Sequence, residues 1–266
     1  MAVAASALAA GLPTSTVPIP PVTNSHTMPS AFVDSSNRFA SYLLQLGFVE
    51  AKSNTSPFIY RHEGETIYLL LYVDYIVFTA SSTRVLCRTI DALQCEFSMK
   101  DLGPLEHFLG ISVTRSSGSM FLSQRQYTLE ILERAGMTAC KPCSTLVDTQ
   151  SKVLSDGAPV EDVTFYQSLV GALQYLTFMR SNIAYAVQQV CLYMHDPREP
   201  HLDAVKRIMR YLCGTVDYGL RLHRAPVSDL VVYSDAGWVG CPDTLKSTSG
   251  YAVFLGDNLV SWSSKR

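Results

Sequence analysis

An α+β fold is predicted by three features of this sequence. Short apolar strands with two-residue turns come first, four amphipathic helical patterns follow, and strand character returns at the far end. The segment from 1 to about 31 contains no Lys, Arg, Asp or Glu, is rich in Ala, Ser, Thr and Pro, and reads as a disordered leader. RFASYLLQLGF then places Phe39, Tyr42, Leu43 and Leu46 at helical spacing, with Gly47 as the stop. SPFIYRH and TIYLLLYV read as strands joined by Glu63-Gly64, and IVFTAS as a third strand after Asp74-Tyr75. STRVLCRTIDALQCEF is helical, and ISVTR with MFLSQ forms a second hairpin around 116–119. Four helical stretches follow: SQRQYTLEILERAG, FYQSLVGALQYLTFM, NIAYAVQQVCLYM and HLDAVKRIMRYLCG. Strands return in DLVVYSDAGW and GYAVFLGDNLVSWSS, and the change of texture near Ala225-Pro226 marks a domain boundary. No internal repeat is visible.

Composition narrows the function classes. The 266 residues suffice for one large domain or two modest ones, each with its own core. Only 17% of residues are charged, below the roughly 25% of ordinary soluble domains. A net charge of −2 supplies no global field for nucleic acid or anionic lipid, although a local basic groove remains compatible with it. No apolar run reaches the roughly 18 residues of a membrane span. The opening MAVAASALAAGLP lacks the positive n-region of a secretory signal, so an intracellular chain is favoured over a secreted one, with no compartment specified. Seven scattered cysteines do not resemble a disulfide framework. The C-x-x-C pair Cys140–Cys143 has no second ligand pair nearby and reads as incidental, with zinc or redox chemistry the minority reading.

Asp74 poses the chemical question. It is the lone carboxylate in the apolar run YLLLYVDYIVFTA, Tyr68 to Ala80, where an ionised side chain must be hydrated, paired or metal-bound. Two readings stand side by side: an ordinary turn residue, or a metal ligand at a hairpin tip.

YLLLYVDYIVFTASS resembles the YVDD hairpin of reverse transcriptases. FSMKDLGPLEHFLGI resembles the segment that follows that hairpin in copia-type LTR retrotransposon polyproteins. MFLSQRQYTLEILERAGM, GALQYLTFMRSNIAYAVQQV, HLDAVKRIMRYLCGT and YSDAGWVGCPDTLKSTSGYAVFLGDNLVSWSSKR extend the resemblance in the family's order from about Phe32 to Arg266, with plant members the most similar. The resemblance implies a partial palm at 32–120, a mainly helical thumb and connection at 121–225, and the start of a truncated RNase H-like sheet at 226–266. It implies RNA-directed DNA polymerase and RNase H activities in intact relatives, with Mg²⁺ as cofactor and primer–template as partner. Two divalent ions roughly 3.5–4 Å apart then activate the attacking hydroxyl and stabilise the leaving pyrophosphate. The family holds them with an Asp on an earlier strand and the Asp pair of YVDD.

Departures from that pattern predict an inactive homologue with no Mg²⁺ held productively. Asp74 matches the first Asp of the pair, but Tyr75 stands in the second place, and a neutral phenol is a poor Mg²⁺ ligand. AFVDSS at 31–36 matches the stretch that follows the earlier Asp, and only the uncharged leader precedes it. AFVDSS also runs directly into NRFASYLL, which places the loss of an LYGLKQAP-like block at Ser36-Asn37; a genuine deletion and a gene-model artefact would both leave that junction. Asp235, in YSDAGWVG, matches the first RNase H carboxylate, and the sequence stops before its partners. Each centre therefore keeps one vestigial metal ligand, Asp74 or Asp235, and constellations that act as a unit lose nearly all their rate with one member.

Other candidates weigh less. Lys100 lies where the family has a lysine that can act as general acid toward pyrophosphate, and it reads equally as a solvated residue after a helix. FLGI, Phe108 to Ile111, resembles the primer-grip turn and is also an ordinary glycine turn. Six Lys/Arg against three acidic residues lie between Arg198 and Arg224, with Lys206 and Arg210 on one helix face. Those two are the candidate nucleic-acid contacts, although a solvated helix face is the stronger reading. Tyr175, Phe178 and Tyr185 fall at core spacing, and His195, His201 and His223 read as surface residues. The leading expectation is a degenerate polymerase homologue. The alternatives are a non-catalytic nucleic-acid-binding module, a reading frame with no selected role, and a subunit that associates with an intact homologue. A partial palm predicts an exposed sheet edge, poor solubility and partial disorder at both ends.

Overall fold

Period-two burial runs through residues 57–80 and period-3.6 burial through the segments that cover them, and this pairing builds the first half of the molecule. In the computed structural model the described residues are 4–10, 30–52, 56–72, 75–147, 157–224, 229–237 and 247–265. The chain divides into two compact units, 1–105 and 106–266. Both mix helix and sheet, as an α+β chain should.

The first unit contains β1 (Ala4–Ala10), α1 (Ser30–Gln45), β2 (Val49–Glu50), β3 (Pro57–His62), β4 (Glu65–Tyr72), β5 (Tyr75–Ala80), α2 (Thr83–Glu96) and β6 (Met99–Pro104). Its sheet has the order β2-β3-β4-β5-β1-β6. Glu63 and Gly64, at φ 49° and 80°, make the β3–β4 turn, the two-residue left-handed type that matches strand twist. α1 ends at Gly47, φ 89°, where the Phe48 amide donates back to the Leu43 carbonyl at 3.0 Å. The Ser82 hydroxyl caps α2 by accepting from the Val85 amide at 3.3 Å. Phe58, Ile67, Leu69, Ile76 and Phe78 pack against Phe39 and Leu43 of α1 and Val85, Ile90 and Leu93 of α2. One sheet face is thereby covered by helices.

The structure corrects two expectations here and locates a third reading. Ala4–Ala10 lies in the leader read as disordered, yet it is a strand whose backbone pairs with β5 on one side and β6 on the other. The rest of that leader, 11–29, lies outside the described residues. β1 also occupies the place where an open edge was expected. The actual edges are the two-residue β2 and β6, whose Lys100, Asp101 and Pro104 suit an unpaired border. Finally, α1 runs unbroken through Ser36-Asn37, so the junction read in the sequence falls inside one helix.

The second unit opens with β7 (His107–Phe108), β8 (Ile111–Ser116) and β9 (Ser119–Ser123), which form a sheet with β10 (Gly219–His223) in the order β10-β9-β8-β7. Only glycine fits at 219, because a Cβ there would lie 2.2 Å from the Leu122 carbonyl oxygen. Its helices are α3 (Arg125–Arg134), α4 (Val163–Leu176), α5 (Ala184–Cys191) and α6 (Glu199–Cys213). They enclose a core of Ile131, Leu132, Tyr166, Leu173, Val187, Val205, Ile208 and Leu212. The buried Tyr166 hydroxyl donates to the Val190 carbonyl at 2.8 Å, and burial pushes its pKa well above the usual phenol value. A third sheet, β11 (Leu230–Gly237), β12 (Thr248–Leu255) and β13 (Asn258–Lys265), has the order β11-β12-β13. Trp262 donates to the Thr177 carbonyl at 2.9 Å, and the Asn258 amide exchanges two hydrogen bonds with the His223 backbone at 2.6 and 3.0 Å. The boundary expected at Ala225-Pro226 lies outside the described residues.

Three side chains depart from the sequence reading. His201 is buried, not at the surface, because its Nδ1 accepts from the Arg198 amide at 2.8 Å as an α6 cap and its ring stacks on Tyr193 at 3.7 Å. Phe178 and Tyr185, placed in the core by their spacing, are 63% and 51% exposed. Phe178 lies just past the end of α4, where the helical phase no longer aims a side chain inward.

α6 also holds the loop before α4. Arg210 Nε donates to the Lys141 carbonyl at 2.9 Å, and Arg207 donates to the Thr145 hydroxyl at 2.7 Å. Lys206 contacts Asp203 at 3.5 Å on the helix surface. Two predictions follow from this packing. Leu173→Ala should lower unfolding free energy by about 2–5 kcal/mol, read as a fall in the urea midpoint without a change in slope. Arg210→Ala should cost about 1 kcal/mol while Lys206→Ala stays within about 0.5 kcal/mol in the same assay.

Candidate functional site

The candidate centre is built on the β4–β5 hairpin. Cross-strand partners are Tyr68–Thr79, Leu70–Val77 and Tyr72–Tyr75, while Leu69–Phe78 and Leu71–Ile76 alternate with them. Partners share a sheet face, so the second set enters the core and the first lines the face that the helices leave open. Tyr68, Tyr72 and Tyr75 are each close to half exposed there, and Arg61 reaches the Tyr68 hydroxyl at 3.4 Å. Val73 and Asp74 separate Tyr72 from Tyr75 in sequence, and Asp74 itself lies outside the described residues.

Lys100 belongs to the same surface. Ala9 of β1 is the partner of both Tyr75 and Lys100, so a single row crosses β5, β1 and β6. With strands about 4.8 Å apart, the Lys100 backbone lies roughly 10 Å from that of Tyr75. Lys100 is exposed, whereas the neighbouring Met99 packs on the core, which sets Lys100 on the open face. β1, the strand next to the hairpin, has the sequence AASALAA and brings no carboxylate. Among the described residues no group of three or more His, Cys, Asp or Glu side chains converges to hold a metal. Among the described residues the open face therefore offers phenols, which stack and hydrogen-bond, together with the Lys100 ammonium and the Arg61 guanidinium.

The remaining candidates belong to the second unit. Asp235 is exposed on β11, opposite Gly250, and its carboxylate accepts from the Ala236 amide at 2.8 Å. Lys206 and Arg210 are on α6, engaged as described above. FLGI is a tight turn between β7 and β8, with Leu109 and Gly110 at φ 49° and 69°, and the Tyr175 hydroxyl donates to the Leu109 carbonyl. Tyr175 also meets Tyr127 and Phe178 edge-on at 5.1 and 5.8 Å.

Sequence reasoning overlooked Arg180. It is 3% exposed; its guanidinium donates to the Thr215 carbonyl at 2.9 Å and hydroxyl at 2.8 Å, and it sits over the rings of Tyr211 and Tyr218. Burial lowers its pKa, with Tyr211 and Tyr218 acting in the opposite direction. A single cation within the apolar stretch LTFMRSNIAYAV was the available signal. Burial also pushes the Cys191 thiol up to about 11. No helix among the described residues is long and apolar enough to cross a membrane.

A family model for reverse transcriptase (RNA-dependent DNA polymerase) matches residues 31–149, which include the β4–β5 hairpin and Lys100. The chain is 44% identical, over 85% of its length, to the retrovirus-related Pol polyprotein from transposon RE2 of Arabidopsis thaliana. It is 33% identical, over 86% of its length, to the corresponding polyprotein from transposon TNT 1-94 of Nicotiana tabacum. It spans 16% and 18% of those polyproteins. The uncharacterized mitochondrial protein AtMg00810 of Arabidopsis thaliana is 44% identical over 75% of this chain and 83% of its own length. Sequence likeness across most of the chain shows that this protein belongs to the reverse transcriptase family of copia-type transposon polyproteins.

Proposed function

We propose that this reverse transcriptase homologue does not catalyse nucleotide addition, and that its hairpin is the vestige of a polymerase centre. The observation that carries this reading is Tyr75, which begins β5 on the open face beside Tyr72, at the position of the second hairpin carboxylate. Two magnesium ions need several hard oxygen ligands converging from separate strands. The hairpin sequence supplies Asp74 alone, and the adjacent β1 supplies none. This donor set does not fit the paired metal.

In the same reading, 32–120 corresponds to the palm, 121–225 to the thumb and connection, and 226–266 to the beginning of an RNase H-like sheet. Lys100 would stand where a proton could be delivered to a leaving pyrophosphate, since it shares a row and a face with Tyr75. Asp235 would be a carboxylate of the RNase H centre. A phosphate-tracking role for α6 has less support: Arg207 and Arg210 are bonded to the loop before α4, and Lys206 contacts Asp203.

Primer extension on an RNA template, with Mg²⁺ or Mn²⁺, tests the reading. Product from the purified chain should be indistinguishable from that of Asp74→Ala. Tyr75→Asp should not restore synthesis, because the neighbouring strand still lacks its carboxylate. Extension that disappears on Asp74→Ala would overturn the proposal.

A further inference from the structure

We infer that Cys140 and Cys213 are a redox-responsive thiol pair whose disulfide locks the loop before α4 onto the end of α6. Cys213 is the last residue of α6, and Cys140 lies 73 positions earlier in the chain. The Cys213 Sγ donates to the Cys140 carbonyl at 3.5 Å and lies 3.9 Å from the Thr138 carbonyl, which sets the two cysteines side by side. The backbones are in register for such a link. The Cys143 amide donates to the Arg210 carbonyl at 3.3 Å, Arg210 Nε binds the Lys141 carbonyl, and Pro142 sits so close to Gly214 that a Cβ there would lie 3.0 Å from it. Disulfides require this kind of close backbone approach.

The C-x-x-C spacing suggests a different partner, Cys143, but its thiol is directed elsewhere. It donates to the Thr145 carbonyl at 3.3 Å and the Arg207 carbonyl at 3.4 Å. Burial and the neighbouring Cys213 thiol hold the Cys140 thiol above its ordinary pKa, while Arg210 acts in the opposite direction. Cys140 and Cys213 are both partly exposed, so a small oxidant can reach them.

The oxidant class is a low-molecular-weight disulfide such as oxidised glutathione. One cysteine thiolate attacks a glutathione sulfur, forming a mixed disulfide and releasing one glutathione thiolate. The second cysteine, as its thiolate, attacks the protein sulfur of that mixed disulfide and displaces the second glutathione. The Cys140–Cys213 bond forms, two electrons reduce the glutathione disulfide, and the two thiol protons go to the glutathiones or to buffer. Closing so long a loop restricts the unfolded chain, so oxidation should stabilise the second unit. The inference does not rest on the polymerase reading.

The test uses the full chain with the exposed Cys87 and Cys95 of α2 replaced by Ser, which suppresses links between molecules. After incubation with oxidised glutathione, a non-reduced tryptic digest should contain peptide 135–152 joined to peptide 211–221. Adding Cys143→Ser should leave that link intact, and the oxidised protein should melt several degrees higher than the same protein treated with dithiothreitol. Cys213→Ser should remove both the link and the shift. A Cys140–Cys143 link within peptide 135–152, or glutathione adducts on both cysteines without a link, would overturn the inference, and mapping of the unsubstituted pair decides this even if Cys213→Ser folds poorly.

Discussion

The register of the β4–β5 hairpin is the constraint from which the rest follows. Leu69 opposite Phe78 and Leu71 opposite Ile76 pack toward the helices, so Tyr72 and Tyr75 must face the other way. A slip of one residue would exchange the two faces and expose Leu69 and Phe78, both fully buried, to water. Burial of that order is worth about 1.5–3 kcal/mol per large apolar side chain, so the register is firmly held. Chemistry at the turn is bound to that packing. A carboxylate at position 75 would project onto the open face, and a phenol does so instead.

The short-range parts of this architecture were legible in the sequence because they obey local periodicities. Glu63-Gly64, the apolar alternation after it, and the stop at Gly47 are signals within a few residues of the structure they cause. β1 was not legible: five alanines, a serine and one leucine carry no periodic signal, and only the pairing with β5 and β6 on either side makes them a strand. The burial of His201 depends on the Arg198 amide and the Tyr193 ring, contacts that helical spacing alone does not announce. Long-range proximity was hidden altogether. Cys140 looks like one half of a C-x-x-C motif, and in the fold its carbonyl accepts from the thiol of Cys213 at the far end of α6.

The candidate site divides along the same line. Family resemblance picked out the hairpin and Lys100, and the β5-β1-β6 row brings Lys100 to the face that carries Tyr75. Of the two cations weighed as nucleic-acid contacts, Arg210 reaches back to a loop carbonyl and Lys206 contacts Asp203. Arg180 shows the same economy inside the second unit, where a buried charge is satisfied by Thr215 and two aromatic rings. Belonging to a polymerase family and retaining its metal chemistry are separate properties. The first rests on likeness along most of the chain, and the second on a handful of oxygen atoms at one turn.

Counting those oxygens at the hairpin is the most direct test. Manganese titration followed by electron paramagnetic resonance reports bound ions without any need for substrate. The account predicts no saturable pair of sites on the unmodified protein and no change on Asp74→Ala. Two ions bound per chain, lost together when Asp74 is replaced, would contradict it.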